Sequence, residues 1–103
     1  MKTLLYDNIG VAERVLRERE KNHLIVDHEL DAGKGFDEDA HPSNEWVIIP
    51  PGESKCELTI DGVSQIIEAD SAFAKAILIE AGARHSFRAI TYIFYTVLRD
   101  GLG

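Results

Sequence analysis

Apolar positions along this chain change their period near residue 23. Between Asn8 and Lys21, Ile9, Ala12, Val15 and Leu16, with Arg19 one turn further, recur at the spacing of one helix face. Asp7 or Asn8 offers a side-chain oxygen for the N-cap, Glu13 stands one turn ahead of Arg17, and Asn22 suits the stop. The polar side of this helix, "RVLREREKN", mixes both signs of charge, whereas a helix that seeks a membrane surface is richer in Lys and Arg. Its apolar face is therefore expected to lie on a sheet or on a neighbouring subunit.

From His23 onward the period is two. In "HLIVDHEL", Leu24, Val26, His28 and Leu30 share a face. "EWVIIP" is a short apolar run stopped by Pro50 and Pro51, which cannot continue a ladder. In "KCELTIDGVSQIIE", Asp61-Gly62 separates two alternating runs, the composition of a type I′ hairpin turn. There Cys56, Leu58 and Ile60 face one way, while Lys55, Glu57 and Thr59 face the other. "AILI" and "HSFRAI" give two further strands. "TYIFYTVLR" is apolar on both faces, so it should be covered on both. Short strands at this spacing indicate an all-β sandwich or barrel. The expectation is one domain over residues 1–103, with a helix at 6–22 and a β-barrel at 23–99.

Composition narrows the partners. Hydrophobic residues at 45% and charged residues at 28% are globular values, and no apolar stretch approaches the roughly 20 residues of a bilayer span. The first ten residues are too weakly apolar for a signal peptide, and the single cysteine, Cys56, excludes an internal disulfide, so a cytoplasmic location is expected. Cys56 itself reads as a small buried hydrophobe within a strand. Eleven basic against eighteen acidic residues leave a net charge of −7, which disfavours nucleic acid as a partner.

Candidate chemistry gathers in "GKGFDEDAHPSNEWVIIPPGES", where Asp39, His41 and Glu45, residue types that suit a divalent metal, fall within seven residues. The spacing from Gly33 through Asp39, His41 and Glu45 to Gly52 resembles the first motif of the cupins, G-x5-H-x-H-x3,4-E-x6-G, with aspartate in place of the first histidine. "AKAILIEAGARHSFRA" is similar to their second motif, G-x5-P-x-G-x2-H-x3-N. Gly82 and His85 match, while Ala74, Glu80 and Ala89 stand where the family has Gly, Pro and Asn. The resemblance implies a cupin-type double-stranded β-helix, a jelly-roll barrel, here preceded by a short α-helix. It also implies a metal site formed by Asp39, His41, Glu45 and His85. Asp39 and His41, two apart on one strand, would share a face, and a turn at Pro42-Ser43-Asn44 would bring Glu45 beside them.

Such a ligand set suits Fe, Mn, Ni or Zn, and the added aspartate favours harder ions such as Mn or Fe over copper. His28, on the apolar face of its strand, is a candidate cavity residue and, with Glu80, a candidate base. Tyr92, Phe94 and Tyr95 are chiefly packing residues and secondary candidates for the pocket, Tyr92 and Phe94 being the ones kept as pocket lining. Trp46 alternates with Glu45, so an inward Glu45 leaves an outward tryptophan that needs cover from the helix or a second subunit. The resemblance implies a metal-dependent enzyme, dioxygenase-like or isomerase-like, with an unknown small-molecule substrate. Loss of the first histidine and the altered second motif support an alternative, a ligand-binding or sensing module without turnover and with little or no metal. A homodimer is expected in either case.

Overall fold

The computed structural model describes residues 1–19 and 23–100. Among these the chain runs β1 (Lys2–Tyr6), α1 (Ile9–Arg19), β2 (Leu24–Leu30), β3 (Gly35–Asp39), β4 (Glu45–Ile49), β5 (Lys55–Ile60), β6 (Val63–Glu68), β7 (Ala74–Ile79), β8 (His85–Ala89) and β9 (Ile93–Arg99). Asn8 is the N-cap of α1, its Oδ1 accepting the Val11 N–H at 2.8 Å, and Arg17 lies 4.0 Å from Glu13. The proposed stop at Asn22 lies outside the described residues. Residues 6–8 are not helical: Tyr6 ends β1, a five-residue strand paired with β7 that the helical pattern of the sequence did not anticipate.

The strands form two antiparallel sheets, ordered β1-β7-β4-β9-β2 and β3-β8-β5-β6, the two halves of a jelly roll. The β5–β6 hairpin closes through Asp61 and Gly62, whose φ values of 48° and 82° are those of a type I′ turn. Between the sheets lies one apolar cluster, in which Val47, Ile77, Ile93 and Val97 of the larger sheet meet Cys56, Leu58, Phe87 and Ala89 of the smaller. Burial pushes the Cys56 thiol up to about 12, so it is a packing residue rather than a nucleophile.

A second cluster covers the outer face of the larger sheet. Ala12 and Leu16 of α1 pack on Trp46, Ile48, Ala76 and Leu98. The helix is thus the cover that Trp46 required, and each large side chain sealed there contributes roughly 1.5–3 kcal/mol. Strand β4 is third of five in its sheet and is buried on both faces, which accounts for its unbroken apolar run after Glu45. No helix among the described residues is long and apolar enough to cross a membrane.

The smaller sheet differs from expectation at β3. Asp39 and His41 do not share a strand, because β3 ends at Asp39 and His41 sits in the loop before Pro42. Pairing with β8 runs Gly35 to Arg88 and Phe36 to Phe87, then Asp39 to His85. Three steps along β3 match two along β8, so a bulge re-aims the end of the strand.

Candidate metal centre

Three side chains meet at the mouth of the barrel. Glu45 opens β4 with its carboxylate on the inner face, His85 opens β8, and His41 arrives from the loop between β3 and β4. Two hydrogen bonds hold that loop against the turn preceding β8. Gly82 N–H donates to the His41 carbonyl at 2.8 Å, and Ala81 N–H donates to Asn44 Oδ1 at 2.9 Å. Gly82 makes this approach with φ of 80°, a left-handed conformation that favours glycine. The turn of the second motif is therefore bonded directly to the loop of the first, which brings the two histidines together.

His41, Glu45 and His85 each offer a ligand atom, all within 4.8 Å of one another. His85 Nε2 is 2.9 Å from Glu45 Oε2, and His41 Nε2 is 3.9 Å from the same oxygen. Donors each about 2.1 Å from a common ion and at right angles to one another lie about 3 Å apart, so small adjustments suffice for coordination. His85 Nδ1 is 3.0 Å from the Ala83 carbonyl, which can only accept, so Nδ1 carries a hydrogen and Nε2 is directed at the site. Glu45 Oε2 is buried and takes no hydrogen bond of good geometry; its 2.9 Å approach to His85 Nε2 is an ion-pair contact. An orphaned carboxylate oxygen between two imidazoles fits a cation at their common focus.

The electrostatics favour a charged carboxylate. Burial pushes the Glu45 pKa up, but the His85 contact and the charges of His85, Arg99 and His41 outweigh it and hold the carboxyl below its ordinary value. The same contact raises His85, against desolvation and with help from the Ala83 carbonyl and the charges of Glu45 and Asp39. Arg99 approaches from β9, paired in register with Glu45, its Nε 3.6 Å from Glu45 Oε1.

Asp39 stands apart from this group. Its side chain is 64% exposed at the rim, with Oδ1 accepting the Ala40 N–H at 2.8 Å and Oδ2 lying 3.4 Å from His41 Nε2. It borders the site without joining the three-residue cluster. His28 lines the cavity beneath, stacked on Tyr95 with centroids 5.2 Å apart. Tyr92 and Phe94 are not among the cavity-lining residues. Along β9 the positions of Ile93, Tyr95 and Val97 face the interior, so Phe94 faces the opposite side, and Tyr92 is half exposed beside Glu29. Glu80 is exposed and likewise does not line the cavity. Of the polar cavity residues, sequence reasoning passed over Arg99 and held Tyr95 only as a secondary pocket candidate. Both share the parity of Val97 on β9, but a strand apolar on both faces does not reveal which parity is inward.

The cavity holds about 360 Å³, with Val47, Leu58, Ile79, Phe87 and Val97 as apolar wall and Glu45, His41 and His85 at its polar end. No model of a known protein family matches the sequence, and no curated protein sequence matches it. Solved structures do resemble it. A cupin superfamily protein from Desulfitobacterium hafniense aligns over 98% of this chain and 79% of its own, at 10% identity and a TM-score of 0.66. An RmlC-like cupin from Shewanella frigidimarina aligns over 79% and 68%, at 15% identity and a TM-score of 0.65. A cupin protein from Bacteroides fragilis aligns over 82% and 70%, at 21% identity and a TM-score of 0.63. The chain has the fold of the small cupins.

Proposed function

We propose that this protein is a metal-dependent cupin, in which His41, Glu45 and His85 hold a divalent transition metal over a cavity for a small organic ligand. The observation that carries this reading is Glu45 Oε2, a buried carboxylate oxygen with no hydrogen-bond partner, facing two imidazole nitrogens. Two histidines with one carboxylate form the facial set associated with non-haem iron, and the same donors accept Mn, Ni or Zn. Such an ion would supply a Lewis acid for a ligand carbonyl or hydroxyl, or, as iron, dioxygenase-like redox chemistry. The chain's own residues set the stage: the Ala83 carbonyl orients His85, Arg99 balances the Glu45 charge, and the apolar wall excludes water from the bound ligand.

Protein purified without a polyhistidine tag should carry near-stoichiometric Fe, Mn, Ni or Zn by elemental analysis, and His85→Ala should lose it. A metal-free preparation that none of these four ions can reload would overturn the proposal. A second reading is supported by the 2.9 Å Glu45–His85 contact, which can serve as an ion pair without metal. The protein would then be a binding or sensing barrel without turnover. That failed reloading is the result it predicts.

A further inference from the structure

Four buried side-chain nitrogen or oxygen atoms lack a hydrogen-bond partner among the described residues, and three belong to residues lining one cavity: Glu45 Oε2, Tyr95 OH and Arg99 Nε. Folded proteins leave few such atoms, so three around one space call for a ligand that satisfies them. The first is an acceptor, assigned above to the metal. The other two are donors. Arginine Nε–H can only donate, it has no hydrogen-bond partner, and its ion-pair neighbour Glu45 Oε1, at 3.6 Å, is beyond hydrogen-bond reach. The Tyr95 hydroxyl stays protonated, since burial, with the charges of Glu45 and Cys56 adding, pushes its pKa up. The ligand therefore brings acceptor oxygens.

The wall beside these donors is aromatic from mouth to interior. Phe36, half exposed at the mouth, meets His28 edge-on at 5.5 Å; His28 stacks on Tyr95 at 5.2 Å; Tyr95 meets Phe87 at 4.7 Å. A run of ring faces selects a flat, unsaturated body. The acidic residues at the mouth do not forbid an anion. Glu38 is paired with Arg84 at 2.8 Å, Asp39 and Glu45 both face His41, and Asp37, the fourth, is exposed to solvent.

The geometry points to a small planar carboxylate, in its simplest form an arenecarboxylate, as the ligand, its ring on the aromatic wall and its oxygens accepting from Tyr95 OH and Arg99 Nε. This rests on the reading of the cavity as a ligand site and does not depend on the metal. The test is calorimetric titration of the full chain, as purified and with its metal content measured, with benzoate, benzyl alcohol and acetate. Benzoate should bind at least roughly 10-fold more tightly than either comparator. Tyr95→Phe, which deletes only an unpartnered hydroxyl, should weaken benzoate by roughly 10-fold, the loss of one buried hydrogen bond to a charged group, without lowering the thermal midpoint of the free protein. Equal affinity for benzyl alcohol, no benzoate binding at millimolar concentration, or wild-type affinity in Tyr95→Phe would each overturn the ligand class. Metal without benzoate binding defeats this inference alone, whereas benzoate binding by protein that none of the four ions can reload defeats the metal reading alone.

Discussion

Among the described residues the buried polar or charged side chains are Glu45 and Thr96, and they lie on opposite faces of the same five-stranded sheet. Thr96 belongs to the layer under the helix, where its hydroxyl donates to Asp27 Oδ1 at 2.7 Å. Glu45 belongs to the layer inside the barrel, where Oε2 has only ion-pair contacts with imidazoles, 2.9 Å to His85 and 3.9 Å to His41. Both side chains lost water on folding; Thr96 replaced it with one well-formed hydrogen bond, whereas Glu45 is compensated by charge alone. A buried polar group that is satisfied specifies the packing around it, and one that is not implies a missing partner. The covered layer is thus closed chemistry, and the barrel interior is open chemistry.

The largest effect that would sharpen this contrast is stabilisation by metal. Ligand binding to the native state alone stabilises it by about 4 kcal/mol when free ligand is 1,000 times its dissociation constant. Fe, Mn, Ni or Zn should accordingly raise the thermal midpoint of the wild-type protein, whereas Glu45→Gln, which keeps the shape and removes the charge, should show no such rise. If Glu45→Gln responds to metal as the wild type does, the open oxygen of Glu45 is not the ligand, and the two layers lose their functional distinction. Next in size is Leu16→Ala beneath the helix. Leu16 is fully buried there, so truncation should cost about 3 kcal/mol in denaturant unfolding while metal bound per folded molecule stays unchanged. A loss of metal from that variant would mean that the covered layer also shapes the site.

The same contrast separates what local sequence reveals from what it hides. The Asp61-Gly62 hairpin was legible because two consecutive positive φ values demand that composition. The outward Trp46 and its need for a cover followed from alternation with Glu45, while the choice of the helix over a second subunit came from the structure. His41, Glu45 and His85 were legible as candidates through the resemblance to the cupin motifs, and the structure brings their ligand atoms within 4.8 Å of one another. Other features were hidden for identifiable reasons. Strand β3 ends at Asp39, which leaves His41 in the loop, and the bulge just before that end is announced by nothing in "GFDED". Strand β9 is apolar on both faces, so alternation could not say that Tyr95 points inward and Phe94 outward. Arg99 meets Glu45 only through the β4–β9 register, a long-range pairing that no local pattern records.

The smallest effect tests the closed side of the comparison. Thr96→Val keeps the β-branched shape preferred in a strand and deletes only the hydroxyl that Asp27 accepts. Asp27 is exposed, so water can replace the lost donor, and the penalty should stay near that of one ordinary hydrogen bond, about 1 kcal/mol in denaturant unfolding. Metal-induced stabilisation should be the same as in the wild type, because Thr96 faces the helix layer while its neighbours Tyr95 and Val97 face the cavity. A Thr96→Val protein that unfolds as the wild type does but binds metal more weakly would reverse the assignment. The satisfied hydroxyl would then be serving the site through β9, and hydrogen-bond satisfaction would no longer distinguish structural from functional polarity in this fold.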